Sequence, residues 1–394
     1  MKPVYVVDYA VIDTLGLDIS SNYMNMLELV KEPQTVTRYK IEQFPNIRVT
    51  KGFEISYYTG ENLLYRLQND LVNQLSSKIE FPKDTAVIFG AFSSSGYSIK
   101  NEFDSALNNG SHRFSPVRLL TNNYDLLSAG IGKKLQLEGI STSLNAACSS
   151  SMFNLHYAFN CIQSGTISSA LVGAVETPFS ASNQFYWQSH GAISTLGGGT
   201  CIPFDNKRDG FLQSEGGSLW FICNEQTIKE YGLLPKAKIL SIEVASKCYD
   251  TASLTAHDVT GKHQMSIINK ALSNANKTVN DISFFNAHAT STPIGDDIEF
   301  NTFQKIFDGI DIPCVSFKGY IGHAMGASGM IETAYGLEAV KNGYLHPNYN
   351  LTDPLSDDPR LINKTTPIHG NTFMKASFGF GGRTAISVIE SLTT

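Results

Sequence analysis

Charge is scarce in this sequence, and what there is leans acidic. Charged residues make up 17% of the 394 positions, with 30 Lys plus Arg against 36 Asp plus Glu and a formal net charge of -6. Such a chain lacks the basic field that a general nucleic-acid binder needs, so no nucleic-acid partner is expected and only a local basic patch stays open. The six cysteines, Cys148, Cys161, Cys201, Cys223, Cys248 and Cys314, are scattered without one CxxC pair. That spacing argues against a disulfide framework or a zinc site and makes reducing cytoplasm the expected compartment. No window approaches the roughly 18 apolar residues of a membrane span. The chain opens directly as a strand, Val4 to Val7, without the basic and apolar segments of a secretory leader. GxGxxG and Walker spacings are missing too, and no cofactor or metal is expected.

What is there is apolar bulk in an alternating pattern. Hydrophobic residues reach 42%, which excludes disorder and suits a large α/β unit with a generous core. β-rich runs are expected at Val4 to Val7, Thr85 to Phe89, Ile140 to Asn145, Ala170 to Val175 and Ser218 to Cys223. Further runs fall at Ala237 to Val244, Ile282 to Asn286, Pro313 to Phe317, Thr372 to Ser377 and Ala385 to Ile389. Helix-period segments lie between them. Many of the runs are apolar on both faces, as in strands covered by helices on each side.

Two stretches look like copies of one unit. The first passes from a strand through Cys148 into a helix from Ser149 to Ile162 and stops at Gly165; the second passes from Cys314 through Lys318 and His323 into a helix from about Gly326 to Val340 and stops at Gly343. A duplication would place its boundary near Asn224 to Pro235, dividing the chain into 1–230 and 231–394.

Three positions carry the chemistry. Cys148 sits at a strand-to-helix corner between Ala146-Ala147 and Ser149-Ser150-Ser151; such a corner exposes a side chain at the helix N-terminus, where free N–H groups favour a thiolate. The alternative for Cys148, as for the other five cysteines, is a small buried hydrophobe. His288 ends the run Phe284-Phe285-Asn286-Ala287, and His323 lies in the turn Ile321-Gly322-His323-Ala324-Met325-Gly326. Each is a catalytic or a structural histidine. Lys318, five residues before His323, and the carboxylates of Asp296 and Glu299, eight and eleven residues after His288, are placed to set imidazole protonation or to be plain surface charges. Ser377 to Arg383 reads as a glycine-rich turn that offers backbone N–H groups.

Taken together, these residues resemble the β-ketoacyl-acyl carrier protein synthases, the elongating, synthase II-like condensing enzymes of thiolase fold. The likeness runs from about Val4 to Ile389. It rests on Asn145-Ala-Ala-Cys-Ser-Ser, Pro203-Phe-Asp-Asn-Lys-Arg-Asp-Gly-Phe-Leu-Gln-Ser-Glu-Gly-Gly, Asn286-Ala-His-Ala-Thr-Ser-Thr-Pro-Ile-Gly-Asp-Asp-Ile-Glu, Lys318-Gly-Tyr-Ile-Gly-His-Ala-Met-Gly-Ala-Ser-Gly and Ser377-Phe-Gly-Phe-Gly-Gly. The resemblance implies duplicated α/β halves in a layered αβαβα core. It also implies decarboxylative Claisen condensation of an acyl-Cys148 with malonyl-acyl carrier protein.

In that chemistry His288 and His323 hold the malonyl thioester carbonyl, and Lys318 with Glu299 forms a supporting ion pair. The N–H groups of Cys148 and Phe380 form the oxyanion hole, with Phe380 gating the acyl pocket. Thr290 and Thr292 bind the pantetheine arm, Phe378, Tyr186 and Trp187 the substrate, and Arg113 docks the acidic carrier protein, with Arg208 a weaker second nominee whose alternative is a structural role. Partners follow: acyl carrier protein, and a second subunit in a homodimer or in a heterodimer with a ketosynthase-like chain-length factor. The sequence departs from the family at Ala146, Ala289, Ser214 and in Val7-Asp8-Tyr9-Ala10, which points to a type II polyketide or aryl polyene pathway over housekeeping fatty acid elongation. A non-catalytic chain-length factor, a Cys-His hydrolase and a zinc protein are the competing readings, and the first lacks the active Cys.

Overall fold

A computed structural model describes residues 2–58, 63–93, 125–247 and 258–393. Its frame is a ten-stranded sheet. The strands are β1 (Val4–Ile12), β2 (Ala86–Gly90), β3 (Ser141–Thr142), β4 (Ser169–Glu176), β5 (Gly216–Asn224), β6 (Ala237–Ser246), β7 (Phe285–Asn286), β8 (Cys314–Val315), β9 (Thr372–Gly379) and β10 (Arg383–Ser391). In space they run β8-β7-β9-β10-β6-β1-β5-β4-β2-β3. Outward from the β1/β6 contact the pattern is the same both ways, two antiparallel pairings followed by two parallel ones. The two directions meet only where Val4–Val6 pairs with Ala237–Ile239.

Every residue of β4 and β5 is buried, as strands covered on both faces must be. The covering helices make the layers. Outside the β1–β5 direction lie α1 (Leu63–Ser76) and α2 (Asp125–Leu135); Leu67, Leu71 and Leu75, one helical turn apart, pack with Leu127 and Ile131 on Val87, Phe89 and Phe221. Beyond the other direction lie α6 (Lys262–Asn274) and α7 (Pro293–Ile306), whose Ile268, Leu272, Phe300 and Phe303 pack on Phe285, Met374 and Ile386. Between them run α3 (Ser150–Ser164) and α8 (Ser328–Asn342), sharing one core with Val172 and Trp220 of one direction and Phe373 and Ile389 of the other. Residues Ser328 to Val340 are all buried, the mark of a helix with no solvent face. The layering is α-β-α-β-α. Shorter helices α4 (Ala181–His190) and α5 (Glu225–Tyr231) complete the parts used below.

Both central helices stop where the sequence places their ends, at Gly165 and Gly343, whose φ of 79° and 76° form left-handed caps. Three expected strands are shorter than their apolar runs: β3, β7 and β8 keep two residues each. They lie at the two ends of the sheet, and their chains leave the ladder just before Cys148, His288 and Lys318 to become the loops that carry those residues. Among the described residues no helix is long and apolar enough to cross a membrane.

Candidate active site

Cys148 lies between β3 and α3, and the turn that presents it is strained. Ala147 has φ 50°, a left-handed conformation that a residue with a Cβ seldom adopts. The Ser150 side chain holds it there, accepting from the Ala146 N–H at 2.9 Å and donating to the Ala147 carbonyl at 2.6 Å. The corner is the one the sequence suggested, but its side chain is not exposed. Cys148 is 4% accessible and packs with Trp187, Phe211, Met325 and the half-buried Phe380. Burial pushes its thiol up to about 12; Lys318 opposes that shift and the buried Glu176 adds to it. The resting group is therefore a thiol, and the expected thiolate is corrected by desolvation.

The histidines are built the opposite way, by polar contacts. Their rings stand 5.5 Å apart and nearly perpendicular at 85°. The Glu299 carboxylate accepts both the His288 and the Ala289 N–H at 2.7 Å, while Lys318 Nζ donates to the His288 carbonyl at 2.6 Å and lies 3.5 Å from its Nδ1. The His323 turn is pinned by its N–H to the Leu212 carbonyl at 2.8 Å and by the Ser214 N–H to its own carbonyl at 3.0 Å. Ser328 Oγ lies 2.8 Å from His323 Nδ1. Burial, reinforced by Lys318 and Lys375, holds the His323 imidazole well below the ordinary histidine range, so it stays neutral.

Lys318 and Glu299 are both buried beside the histidines but are not each other's ion pair. Lys318 Nζ pairs with Glu332 Oε1 at 2.5 Å, and the other oxygen of Glu332 pairs with Lys375 Nζ. All three side chains are wholly inaccessible. Lys375 also donates to the Ala287 carbonyl at 2.8 Å and to Asn286 Oδ1 at 3.2 Å; burial pulls its ammonium down to about 8, with Glu332 opposing. Glu299 is pushed up to about 7 by burial, with its two backbone hydrogen bonds opposing.

Glu332, Lys375 and Ser328 were missed in the sequence. Two of them left a signal: Lys375 interrupts the apolar strand Thr372-Phe-Met-Lys-Ala-Ser-Phe, and Glu332, like Glu338, falls in a helix rich in apolar and small residues. A charge in such a place needs a partner.

The glycine-rich turn joins the two groups. A Cβ on Gly379 would stand 2.7 Å from the Ala146 carbonyl and 3.4 Å from the Cys148 N, so only glycine lets this strand lie against the Cys148 corner. Phe378 beside it touches the His288 ring edge-on at 5.7 Å. Phe380 stacks on Trp187 at 5.4 Å and 29°. Tyr186 is 54% exposed and meets the rings of Trp187 and His190, so of Tyr186 and Trp187 only Trp187 belongs to the cluster around Cys148. Thr290 and Thr292, half-buried, pair their hydroxyls at 3.2 Å. Arg208 is buried, bonded to Asp297 at 2.5 Å and close to Asp296, which removes it from any docking surface. Arg113 and Cys248 lie outside the described residues.

This layered scaffold is the thiolase fold of condensing enzymes: the solved ishigamide ketosynthase/chain length factor superimposes with a TM-score of 0.86 at 20% identity, covering 99% of each chain. Beta-ketoacyl synthase, N-terminal domain, matches residues 72–227 and Beta-ketoacyl synthase, C-terminal domain, matches 238–352, and the chain belongs to the beta-ketoacyl synthase family. It is a condensing acyltransferase that forms 3-oxoacyl thioesters. Among curated relatives, 3-oxoacyl-[acyl-carrier-protein] synthase 2 of Staphylococcus aureus (strain COL) is 24% identical over 410 aligned positions, covering 99% of this chain and 98% of its own. The synthase 1 of Buchnera aphidicola subsp. Baizongia pistaciae (strain Bp) is 31% identical over 285, covering 70% of this chain and 67% of its own.

Proposed function

We propose that Cys148 accepts the acyl chain and that His288 and His323 drive decarboxylation of a malonyl thioester. The observation that carries this reading is the pair of imidazoles 5.5 Å apart, fixed by buried hydrogen-bond partners. In the first step the Cys148 sulfur attacks an acyl thioester, and its proton passes to the departing carrier thiol. The exchange is nearly isoenergetic. In the second, loss of CO2 from the malonyl group leaves an enolate whose oxygen takes hydrogen bonds from the two rings. That enolate attacks the acyl-Cys148 carbonyl, and the N–H groups of Cys148 and Phe380 receive the tetrahedral oxyanion, each such donor being worth about 3 kcal/mol. Collapse expels the Cys148 sulfur, which takes up a proton. Neutral imidazoles suit this step because they donate hydrogen bonds without being acidic enough to quench the carbanion.

The supporting residues follow from the same reading. Lys318, with Glu332, fixes the His288 carbonyl and Glu299 fixes its N–H. Thr290 and Thr292 meet the pantetheine arm, and Phe378 and Trp187 border the substrate. The carrier is an acyl carrier protein, as the relatives' names indicate, with Arg113 the docking residue nominated from sequence. A second subunit, identical or a chain-length factor, is supported by the position of β3 at the edge of the sheet among the described residues, flanked by exposed Ile140 and Leu144. In favour of a division into 1–230 and 231–394 is the strand pattern repeated about the β1/β6 contact. A reducing cytoplasm fits five described cysteines that are all free thiols. A specialised polyketide or aryl polyene pathway is favoured by the aromatic cluster about Cys148. The test is incubation with a panel of acyl and malonyl carrier-protein thioesters read by intact mass. One acyl adduct at Cys148 followed by a two-carbon-longer 3-oxoacyl product is expected. Free acid, or an adduct that persists in Cys148→Ala, overturns the reading.

A further inference from the structure

We propose that Ser328 is a positioning residue for the condensation: its hydroxyl donates to Nδ1 of His323 and thereby keeps that ring's one proton on Nε2. The proposal rests on the decarboxylating role given to His323 above and names what prepares the ring for it. A neutral imidazole has one N–H, so which nitrogen carries it decides whether the ring donates to a substrate oxygen or only accepts. The His323 ring is 1% accessible, and both Lys318 and Lys375 face it and disfavour a second proton. Phe211 and the His288 ring flank it at 5.3 and 5.5 Å, and neither ring contact selects a tautomer.

The contact that does select one is Ser328 Oγ to Nδ1 at 2.8 Å. Ser328 is itself 1% accessible and opens helix α8, and among the described residues Nδ1 is the partner shown for its hydroxyl. Were Nδ1 to carry the proton, it would donate to Oγ and leave the hydroxyl hydrogen buried with no acceptor, a costly arrangement. With Nδ1 as acceptor both groups are satisfied and Nε2–H is the remaining donor. The same bond fixes the plane of the ring relative to α8, whose residues Ser328 to Val340 are all buried. Ser328 touches no substrate in this scheme; it acts through His323.

The experiment reads the tautomer without substrate. In protein labelled with 15N-histidine, the ring-nitrogen signals of His323, assigned by their loss in His323→Ala, should show a protonated Nε2 and an accepting Nδ1. Ser328→Ala should turn that pattern into a mixture of the two tautomers, and Ser328→Thr should retain it. In parallel, Ser328→Ala should lower CO2 release from a malonyl thioester on the order of tenfold, acyl loading of Cys148 should stay at the parent rate, and Ser328→Thr should recover the loss. An unchanged His323 tautomer in Ser328→Ala overturns the proposal, as does an undiminished rate of CO2 release. A tautomer shift in a protein that releases no CO2 even as the parent supports the positioning and instead overturns the condensation reading.

Discussion

The Cys148 corner and the histidine pair both adjoin the end of one strand, the corner at Gly379 and His288 at Phe378, yet they are made of different material. Around the thiol lie Trp187, Phe211, Met325 and Phe380, and the backbone is held by a serine hydroxyl. Around the imidazoles lie two ammonium groups and two carboxylates, all buried, gripping the peptide groups on both sides of His288. The difference teaches that the two half-reactions want different media. A thiol that carries a long acyl chain gains from an apolar surrounding, and a site that must stabilise a developing enolate gains from fixed polar groups that need no reorganisation when charge appears. Both places are buried, and burial raises the thiol and lowers His323; the same physical cause favours the uncharged form of each.

The largest expected effect separates the two sides kinetically. His288→Ala or His323→Ala should reduce CO2 release by a factor on the order of a hundred, while intact mass still finds the acyl adduct on Cys148. CO2 release at the parent rate would make that histidine structural and blur the contrast.

Next comes stability on the charged side. Glu332→Gln leaves two buried ammonium groups without their carboxylate and should cost about 3 kcal/mol or more in urea unfolding. Adding Lys375→Met to that variant should recover part of the loss, because it removes the cation that Lys318 then repels. A double variant no more stable than the single one would show that Lys375 does not depend on Glu332.

The apolar side is sharpened by titration. For a thiol raised to about 12, the thiolate is a minor form whose fraction grows with pH, so iodoacetamide alkylation of Cys148 should climb roughly tenfold per pH unit between pH 7 and 9. A plateau reached near neutrality would mean a stabilised thiolate and would put charge back into the Cys148 corner.

The smallest effect probes the aromatic cluster. If Trp187 borders the acyl chain, conjugated or aryl-ended acyl groups should load on Cys148 faster than saturated ones of equal length, by about 0.5 to 1.5 kcal/mol per ring contact. Trp187→Leu should erase that preference. Equal loading in the parent would return the protein to general fatty acid elongation.

By itself the sequence determined the alternation of strands and helices and the two central helices with their glycine ends, and it nominated Cys148, His288 and His323, since each of these is a local pattern: an apolar period, a cap, a motif. Partnership was decided only by the tertiary structure. Glu299 stands eleven residues from His288 and bonds its backbone, while Lys318 turns to Glu332 on α8 and Glu332 reaches on to Lys375 on β9. These charges meet because layers from distant parts of the chain close over them, and no spacing along the chain encodes that meeting. The direction of the Cys148 shift has the same origin. A corner beside a helix start suggests a thiolate, and only the packing of Trp187, Met325 and Phe380 over the sulfur shows that the loss of water outweighs the helix end.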